Sequence, residues 1–132
     1  MQLLSEAKAK KVVKLPISIA AHSPLMESAS AEFRQVLAAT QFVAPGVPVY
    51  GNVDAAPLVD VDAIRRELDL QLTNSVRWTE SVQAMVVAGA EVFVELGPKD
   101  VLTSLLKRID RSKSGKAING VESFQKFQAE AN

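Results

Sequence analysis

The chain contains one histidine, His22, and it stands at a position that suits a catalytic base. It follows a predicted strand and precedes a predicted helix, and sites of α/β folds form at the carboxyl ends of strands. A neutral imidazole acts as a general base near pH 7 because one of its ring nitrogens accepts a proton. The same position also fits an exposed loop histidine without a role, and position alone leaves both interpretations open.

A general base needs a group to deprotonate, and the sequence offers serine but no cysteine. There are eleven serines, yet none lies in the G-x-S-x-G pattern that places a nucleophile on a strand-to-helix turn. Ser23 adjoins His22, but adjacency does not bring its hydroxyl to the imidazole, and with Pro24 behind it Ser23 is predicted to cap a helix. The residues therefore provide a candidate base without its nucleophile.

Charged residues form an acidic stretch in the middle of the chain and basic clusters toward both ends. The acidic stretch matches no calcium loop, and most of it is interpreted as solvated helix starts. It comprises Asp54, Asp60, Asp62, Glu67 and Asp69. The basic clusters are interpreted as solubilising surface or, alternatively, as a docking face for an acidic partner. They comprise Lys8, Lys10, Lys11 and Lys14, and then Lys107, Arg108, Arg111, Lys113 and Lys116.

Composition excludes several classes of function. A chain without cysteine has no disulfide, thiolate nucleophile or cysteine-bound zinc, and one histidine cannot build a histidine-rich metal site. The 15 Lys and Arg balance the 15 Asp and Glu, which argues against a generic nucleic-acid binder. The longest apolar run, residues 84–90, is far shorter than the ~20 residues of a membrane-spanning helix. We therefore expect a cytoplasmic protein that binds neither nucleic acid nor a membrane, and its length fits about one domain.

Strands and helices are predicted to alternate, which is typical of an α/β fold with a mostly parallel sheet. Strands are predicted over 12–20, 47–53, 92–96 and 116–121; the first is an edge strand because it contains Pro16, and the third is buried. Helices are predicted from Ser23 to about Ala39, after an Asp60 cap, from a Thr79 cap to Gly89, after an Asp100 cap, and around Phe124 and Phe127. The loops 21–24, 51–56 and 97–100 follow strands and are the candidate site loops.

Four segments in a fixed order give these residues a family resemblance. They are residues 21–26, 47–54, 71–78 and 95–102. Over essentially its whole length, the chain resembles the C-terminal part of malonyl-CoA:acyl-carrier-protein transacylases. The acyltransferase domains of polyketide and fatty acid synthases share the pattern, and four ordered motifs with compatible spacing make the resemblance specific.

The resemblance implies an acyltransferase of fatty acid biosynthesis. Such an enzyme takes malonyl from malonyl-CoA as a serine ester and passes it to the phosphopantetheine thiol of acyl carrier protein, without a further cofactor. It implies that His22 is the catalytic histidine and that the backbone carbonyl of Gln71 accepts a hydrogen bond from it. Asn52 is implied near the mouth of the active site. Ala21 stands where the residue varies with acyl choice, and malonyl enzymes usually have serine there.

The resemblance also implies the fold and its division. An α/β-hydrolase-like large subdomain is expected beside a small ferredoxin-like one. Residues 1–21 are then the last helix and strand of the small subdomain, and residues 22–132 are the C-terminal part of the large one, a partial parallel sheet with flanking helices.

The family's serine, its oxyanion-hole glutamine and its carboxylate-binding arginine precede the matched region. The chain is therefore expected to be a C-terminal segment that is inactive alone. One version of this expectation is a split enzyme whose N-terminal segment is a separate chain. The alternatives are a non-catalytic module that binds acyl carrier protein and a part of a polyketide synthase acyltransferase domain.

Overall fold

The computed structural model describes residues 2–14 and 17–131, which have a mixed α/β architecture. The elements in chain order are α1 (Gln2–Glu6), a 3₁₀ turn (Pro24–Met26), α2 (Glu27–Ala39), α3 (Val61–Gln71), α4 (Trp78–Val87), β1 (Val92–Leu96), α5 (Val101–Ile109), β2 (Ser114–Ile118) and α6 (Val121–Ala131). Within the described ranges, no helix is long and apolar enough to cross a membrane.

Strands β1 and β2 form a two-stranded parallel sheet, in register from the pair Val92–Ser114 to the pair Leu96–Ile118. Helix α5 connects them and packs against both, as a parallel pair requires a crossover connection. Helix α4 packs on α5, and α6 packs on β2. The prediction of β1 is confirmed, and β2 overlaps the predicted strand 116–121 but begins two residues earlier and ends three residues earlier.

Short sequence signals explain the two helix ends that were predicted most directly. The Asp60 carboxylate accepts the amide of Ala63 at 2.7 Å, which confirms the predicted cap of α3. Gly89 has the left-handed φ of 98° that follows a helix end, as predicted. The Gly89 amide donates to the Val86 carbonyl and the next amide donates to the Met85 carbonyl, so these two carbonyls near the end of α4 are satisfied.

Two predicted caps near helix starts are wrong because the hydroxyl has another partner or the helix begins earlier. Ser23 precedes the 3₁₀ turn as predicted, but its hydroxyl donates to the Ala20 carbonyl at 2.7 Å and caps no amide. Thr79 lies inside α4, which begins at Trp78.

The predicted Asp100 cap of α5 is also wrong, although the helix begins directly after it. The amides of Leu102 and Thr103 donate to the carboxylate of Glu95, at 3.1 and 2.8 Å. A carboxylate from the neighbouring strand thus takes the place of the local cap. These hydrogen bonds, chiefly the one from the Thr103 amide, lower the pKa of Glu95.

The predicted edge strand over residues 12–20 is not formed within residues 12–14 and 17–20. Val13, Ile17 and Ile19 are exposed there, and no described strand pairs with this segment, so its backbone has no ladder to join. Leu15 and Pro16 of this prediction lie outside the described residues.

The predicted strand over residues 47–53 is reduced to a single antiparallel bridge between Tyr50 and Pro57. The chain turns back over residues 51–56 and pairs with itself, through Gly51 N to Ala56 O at 2.9 Å and Leu58 N to Val49 O at 2.7 Å. This turn keeps the segment out of the sheet of β1 and β2.

The chain buries little apolar surface for its size. The buried apolar side chains of the described residues are Leu37, Ala55, Val82 and Leu106. Strand β1 was predicted to be buried, but Val92, Val94 and Leu96 are exposed. The accessible surface is 9999 Å², whereas about 6,800 Å² is expected for a folded monomer of this mass. One face of the sheet is therefore exposed.

Candidate active site

The candidate site is built on a contact between a loop and the end of a helix. The Nδ1 atom of His22 lies 2.7 Å from the backbone oxygen of Gln71, the last residue of α3. A carbonyl oxygen only accepts, so this contact requires the proton on Nδ1, and in the neutral imidazole Nε2 is then the accepting nitrogen. His22 is exposed, so a substrate or a further segment of protein has access to that nitrogen.

The Gln71 carbonyl is available to His22 because it lies in the last turn of α3, where carbonyls lack an intrahelical partner. The carbonyl before it, that of Leu70, already accepts the amides of Thr73 and Asn74, at 3.1 and 3.0 Å. The negative end of the helix dipole strengthens the attraction of this carbonyl for an N–H group. The end of α3 thereby selects which nitrogen of His22 carries the proton.

The backbone of His22 is held in the left-handed region, with a φ of 62°. Only glycine adopts this region freely, and the conformation persists for other residues where the surroundings fix it. The contacts that fix it are the Gln71 carbonyl on the imidazole and the bond from the Ser23 hydroxyl to Ala20. Ala21, the other predicted residue of this loop, is exposed beside His22.

Helices α2 and α3 pack together and so bring the two halves of this contact into place. The Arg65 guanidinium of α3 donates to the carbonyls of Leu37 and Thr40 at the end of α2, the second at 2.8 Å. Arg34 of α2 pairs with Asp69 of α3 at 2.5 Å. Because the His22 loop leads directly into α2, these bonds also set its position against the end of α3.

The Asn52 loop is attached to the same helix through Glu67. The amide of Asn52 donates to Oε1 of Glu67 at 2.7 Å, and the amide of Val53 donates to Oε2 at 3.1 Å. Glu67 is only 8% exposed, so its interpretation as part of a solvated acidic stretch is wrong. The sequence held a signal for this, since Glu67 lies three residues after Ile64 and so on the predicted apolar face of α3.

Gly51 lets the loop approach Glu67 this closely. A Cβ atom at Gly51 would lie 2.5 Å from Oε2 of Glu67 and 3.1 Å from Leu58, so no other residue fits without a shift. On the other side, the Asn52 carbonyl accepts the Arg77 amide at 2.9 Å and the Gly51 carbonyl accepts the Ser81 hydroxyl at 3.3 Å. The loop is thus bound to α3 and α4 together.

The third predicted loop, residues 97–100, follows β1 as a bend, and its first residue still pairs with β2. The Gly97 amide donates to the Ile118 carbonyl at 3.2 Å, which extends the pairing of β1 with β2.

An apolar cavity of about 210 Å³ lies between α4, β1 and α5, lined by residues such as Met85, Phe93 and Leu102. None of the four predicted site residues lines this cavity.

The late basic cluster is partly neutralised by its neighbours. Lys113 pairs with Glu91 at 2.7 Å, and Lys116 pairs with Glu130 at 2.6 Å. The remaining members, Lys107, Arg108 and Arg111, are exposed at and just after the end of α5. A docking face for an acidic partner would therefore depend on these three residues.

Sequence comparison finds relatives for most of the chain, although no family model matches it. The malonyl CoA-acyl carrier protein transacylase of Escherichia coli (strain K12) is 43% identical over 113 residues, which cover 86% of this chain. The match covers 37% of that relative, so the chain spans just over one third of its length.

Solved structures of two related proteins superpose closely on the backbone of this chain. The acyl carrier protein S-malonyltransferase of Vibrio cholerae superposes with a TM-score of 0.87 at 41% identity, over 96% of this chain and 41% of that one. A malonyl-transacylase, PlMCAT, solved in complex with the type II polyketide acyl carrier protein AntF, gives 0.91 at 37% identity, over 99% and 42%.

Over the matched length, the mixed α/β backbone is the one found in these two acyltransferases. The chain belongs to the family of malonyl-CoA:acyl carrier protein transacylases, as the four motifs implied.

Proposed function

We propose that this chain provides the histidine half of an [acyl-carrier-protein] S-malonyltransferase, with the nucleophilic serine contributed by residues outside the 132. The contact of His22 with the Gln71 carbonyl is the observation that carries this proposal, because it leaves Nε2 free to accept a proton. Gln71 orients the base through its backbone. Asn52 and Ala21 contact the malonyl substrate, and Ala21 bears on acyl selectivity.

The proposed reaction has two transfers with the same base. Nε2 of His22 accepts the serine proton while the serine oxygen attacks the thioester carbonyl of malonyl-CoA, and the collapse of the adduct returns that proton to the departing coenzyme A sulfur. His22 then accepts the proton of the phosphopantetheine thiol as its sulfur attacks the malonyl ester, and returns it to the serine oxygen. Malonyl leaves on acyl carrier protein, and no cofactor besides the substrates takes part.

The remaining part of the enzyme would cover the open face of the sheet. The exposed side chains of Val92, Val94 and Leu96 and the large accessible surface support this arrangement. In it, residues 22–132 complete an α/β-hydrolase-like sheet, and residues 1–21 belong to a ferredoxin-like subdomain. The assembled enzyme acts in the cytoplasm, in fatty acid or polyketide synthesis, and its remaining part is either joined to this chain or a separate chain.

A chimera tests the function without assuming where the natural chain begins. The region of the Escherichia coli relative that matches this chain is replaced by these residues, and malonyl transfer from malonyl-CoA to acyl carrier protein is measured. We expect activity, and we expect His22→Ala to lower it by about 10³-fold or more. Thr79→Ala, at an exposed residue of α4, is the matched control and should retain activity.

Two outcomes would contradict the proposal. An inactive chimera that is folded would remove the malonyltransferase function, and full activity of its His22→Ala variant would remove His22 as the base. The 132-residue chain alone should also acquire no malonyl ester from malonyl-CoA, as judged by mass spectrometry, because the proposed nucleophile lies outside it.

A second candidate function is a non-catalytic module that binds acyl carrier protein. The exposed cations Lys107, Arg108 and Arg111 favour it, since carrier proteins of this kind would be recognised by their acidic surface. Titration of acyl carrier protein into the labelled chain, followed by NMR at low and high salt, tests it. Shifts at these residues that weaken with salt would support it, and no shifts at low salt would exclude it.

A further inference from the structure

Glu67 is a buried carboxylate that the proposed reaction does not use. Its side chain is 8% exposed on α3, and both of its oxygens face backbone amides of the Asn52 loop. A carboxylate at such a position is costly to bury unless hydrogen-bond donors replace its water. The amides of Asn52 and Val53 are those donors.

We propose that Glu67 is a positioning residue, whose carboxylate fixes the Asn52 loop relative to His22 by joining both to α3. Its effect on catalysis rests on the proposed function, whereas its effect on the loop does not.

The arrangement resembles an anion site made from consecutive backbone amides, except that the anion comes from the chain itself. Charge-assisted hydrogen bonds of this kind are stronger than bonds between neutral groups. The absence of a Cβ atom at Gly51 lets the carboxylate reach these amides, since a methyl there would come within 2.5 Å of Oε2. The missing Cβ atom thus makes room for Oε2, and the two amides bind both oxygens of the carboxylate.

The position of the Glu67 carboxylate on α3 also links the Asn52 loop to His22. Glu67 precedes Gln71 by four residues, so both lie on one face of α3, one turn apart. The Asn52 loop is bound to one turn and His22 to the next. A rigid helix therefore sets the distance between the base and the loop expected to contact the substrate, and catalysis is sensitive to such distances.

Amide hydrogen exchange in the 132-residue chain tests the structural part. We expect Glu67→Leu, which keeps volume but removes both acceptors, to accelerate exchange at Asn52 and Val53 by at least about tenfold. Glu67→Gln retains one acceptor and should release only one of the two amides. Thr103→Val removes a hydroxyl that is equally buried, in α5, and should leave both amides protected.

Each outcome of that experiment decides the point. Unchanged exchange at both amides in Glu67→Gln and Glu67→Leu would overturn the proposal. Should Glu67→Leu fail to fold, Glu67→Gln alone carries the test, because loss of protection at one amide and not the other is the expected pattern.

The chimera tests the catalytic part. Glu67→Leu should lower kcat by about 10- to 100-fold, with Glu67→Gln between it and the unsubstituted chimera, and Thr103→Val should keep kcat. An equal loss in Glu67→Leu and Thr103→Val would reduce Glu67 to a stabilising residue and overturn the proposal. An inactive unsubstituted chimera would instead refute the proposed function, and the exchange data would still judge the role of Glu67 in the loop.

Discussion

Glu67 and Gln71 lie one turn apart on α3, and each holds a different loop of the candidate site. The side chain of Glu67 binds the amides of the Asn52 loop, and the backbone of Gln71 binds the ring of His22. One helix therefore organises the site with a carboxylate and a terminal carbonyl.

The left-handed backbone of His22 predicts an unusual order of stability for two substitutions. His22→Gly should be more stable than His22→Ala by about 1 kcal/mol, because glycine adopts a φ of 62° without the steric cost borne by alanine. Urea unfolding of both variants of the chain measures the difference. A His22→Ala variant as stable as His22→Gly would show that the loop does not hold this conformation in solution.

The close approach at Gly51 predicts a large difference between two glycine substitutions. Gly51→Ala should lower the free energy of unfolding by about 1–3 kcal/mol, because its methyl group would overlap the Glu67 carboxylate. Gly46→Ala is the control, since a Cβ there has no atom within 4 Å, and it should change stability by less than about 0.5 kcal/mol. Thermal or urea unfolding is sufficient, and equal effects would refute the contact.

Arg65 and its neighbour Arg66 should respond differently to the same change. Arg65→Lys should cost about 1–2 kcal/mol, because an ammonium group cannot donate to two carbonyls at the end of α2 with the geometry of the guanidinium. Arg66→Lys, at an exposed pair with Asp54, should cost less than about 0.5 kcal/mol. Chemical denaturation midpoints of the two variants measure the difference. An effect at Arg65 no larger than that at Arg66 would be evidence against the bonds from Arg65 to the end of α2.

The lowered pKa of Glu95 predicts how acid affects α5. Because the folded chain holds the pKa of Glu95 below its ordinary value of 4.5, mainly through the Thr103 amide, the unfolded chain binds the proton more readily. The stabilisation is complete above pH 4.5 and is lost as the pH falls toward the folded pKa. Glu95→Gln should flatten the dependence of the urea midpoint on pH below 4.5, and Glu122→Gln is the exposed control. An unchanged slope in Glu95→Gln would contradict the assignment.

The sequence predicted the helix ends and strands that depend on residues close together in the chain. Asp60 marks the start of α3 because a carboxylate there reaches an amide three residues on, and Gly89 marks the end of α4 because it adopts positive φ. The alternation of β1, α5 and β2 was likewise readable from apolar periodicity. These signals act over a few residues, so the rest of the fold does not alter them.

The sequence did not predict the contacts between residues that are far apart in the chain. Glu95 takes over the amides that Asp100 was expected to cap, and the turn after Tyr50 keeps a strand-like segment out of the sheet. The pairing of His22 with Gln71 was expected only from the family resemblance, because no periodicity joins residues 49 positions apart. Glu67 was misread although it lies on the predicted apolar face of α3, because the amides that bind its carboxylate belong to residues 14 and 15 positions away.

The bond from the Arg77 amide to the Asn52 carbonyl also gives the site an optical reporter. Trp78, the sole tryptophan of the sequence, is the next residue and begins α4, and its indole nitrogen is buried without a partner among the described residues. Because the Asn52 carbonyl binds the Arg77 amide, we expect a rearrangement of the Asn52 loop to change the surroundings of this indole. Intrinsic fluorescence of the unlabelled chain will therefore follow events at the loop without a probe having to be introduced.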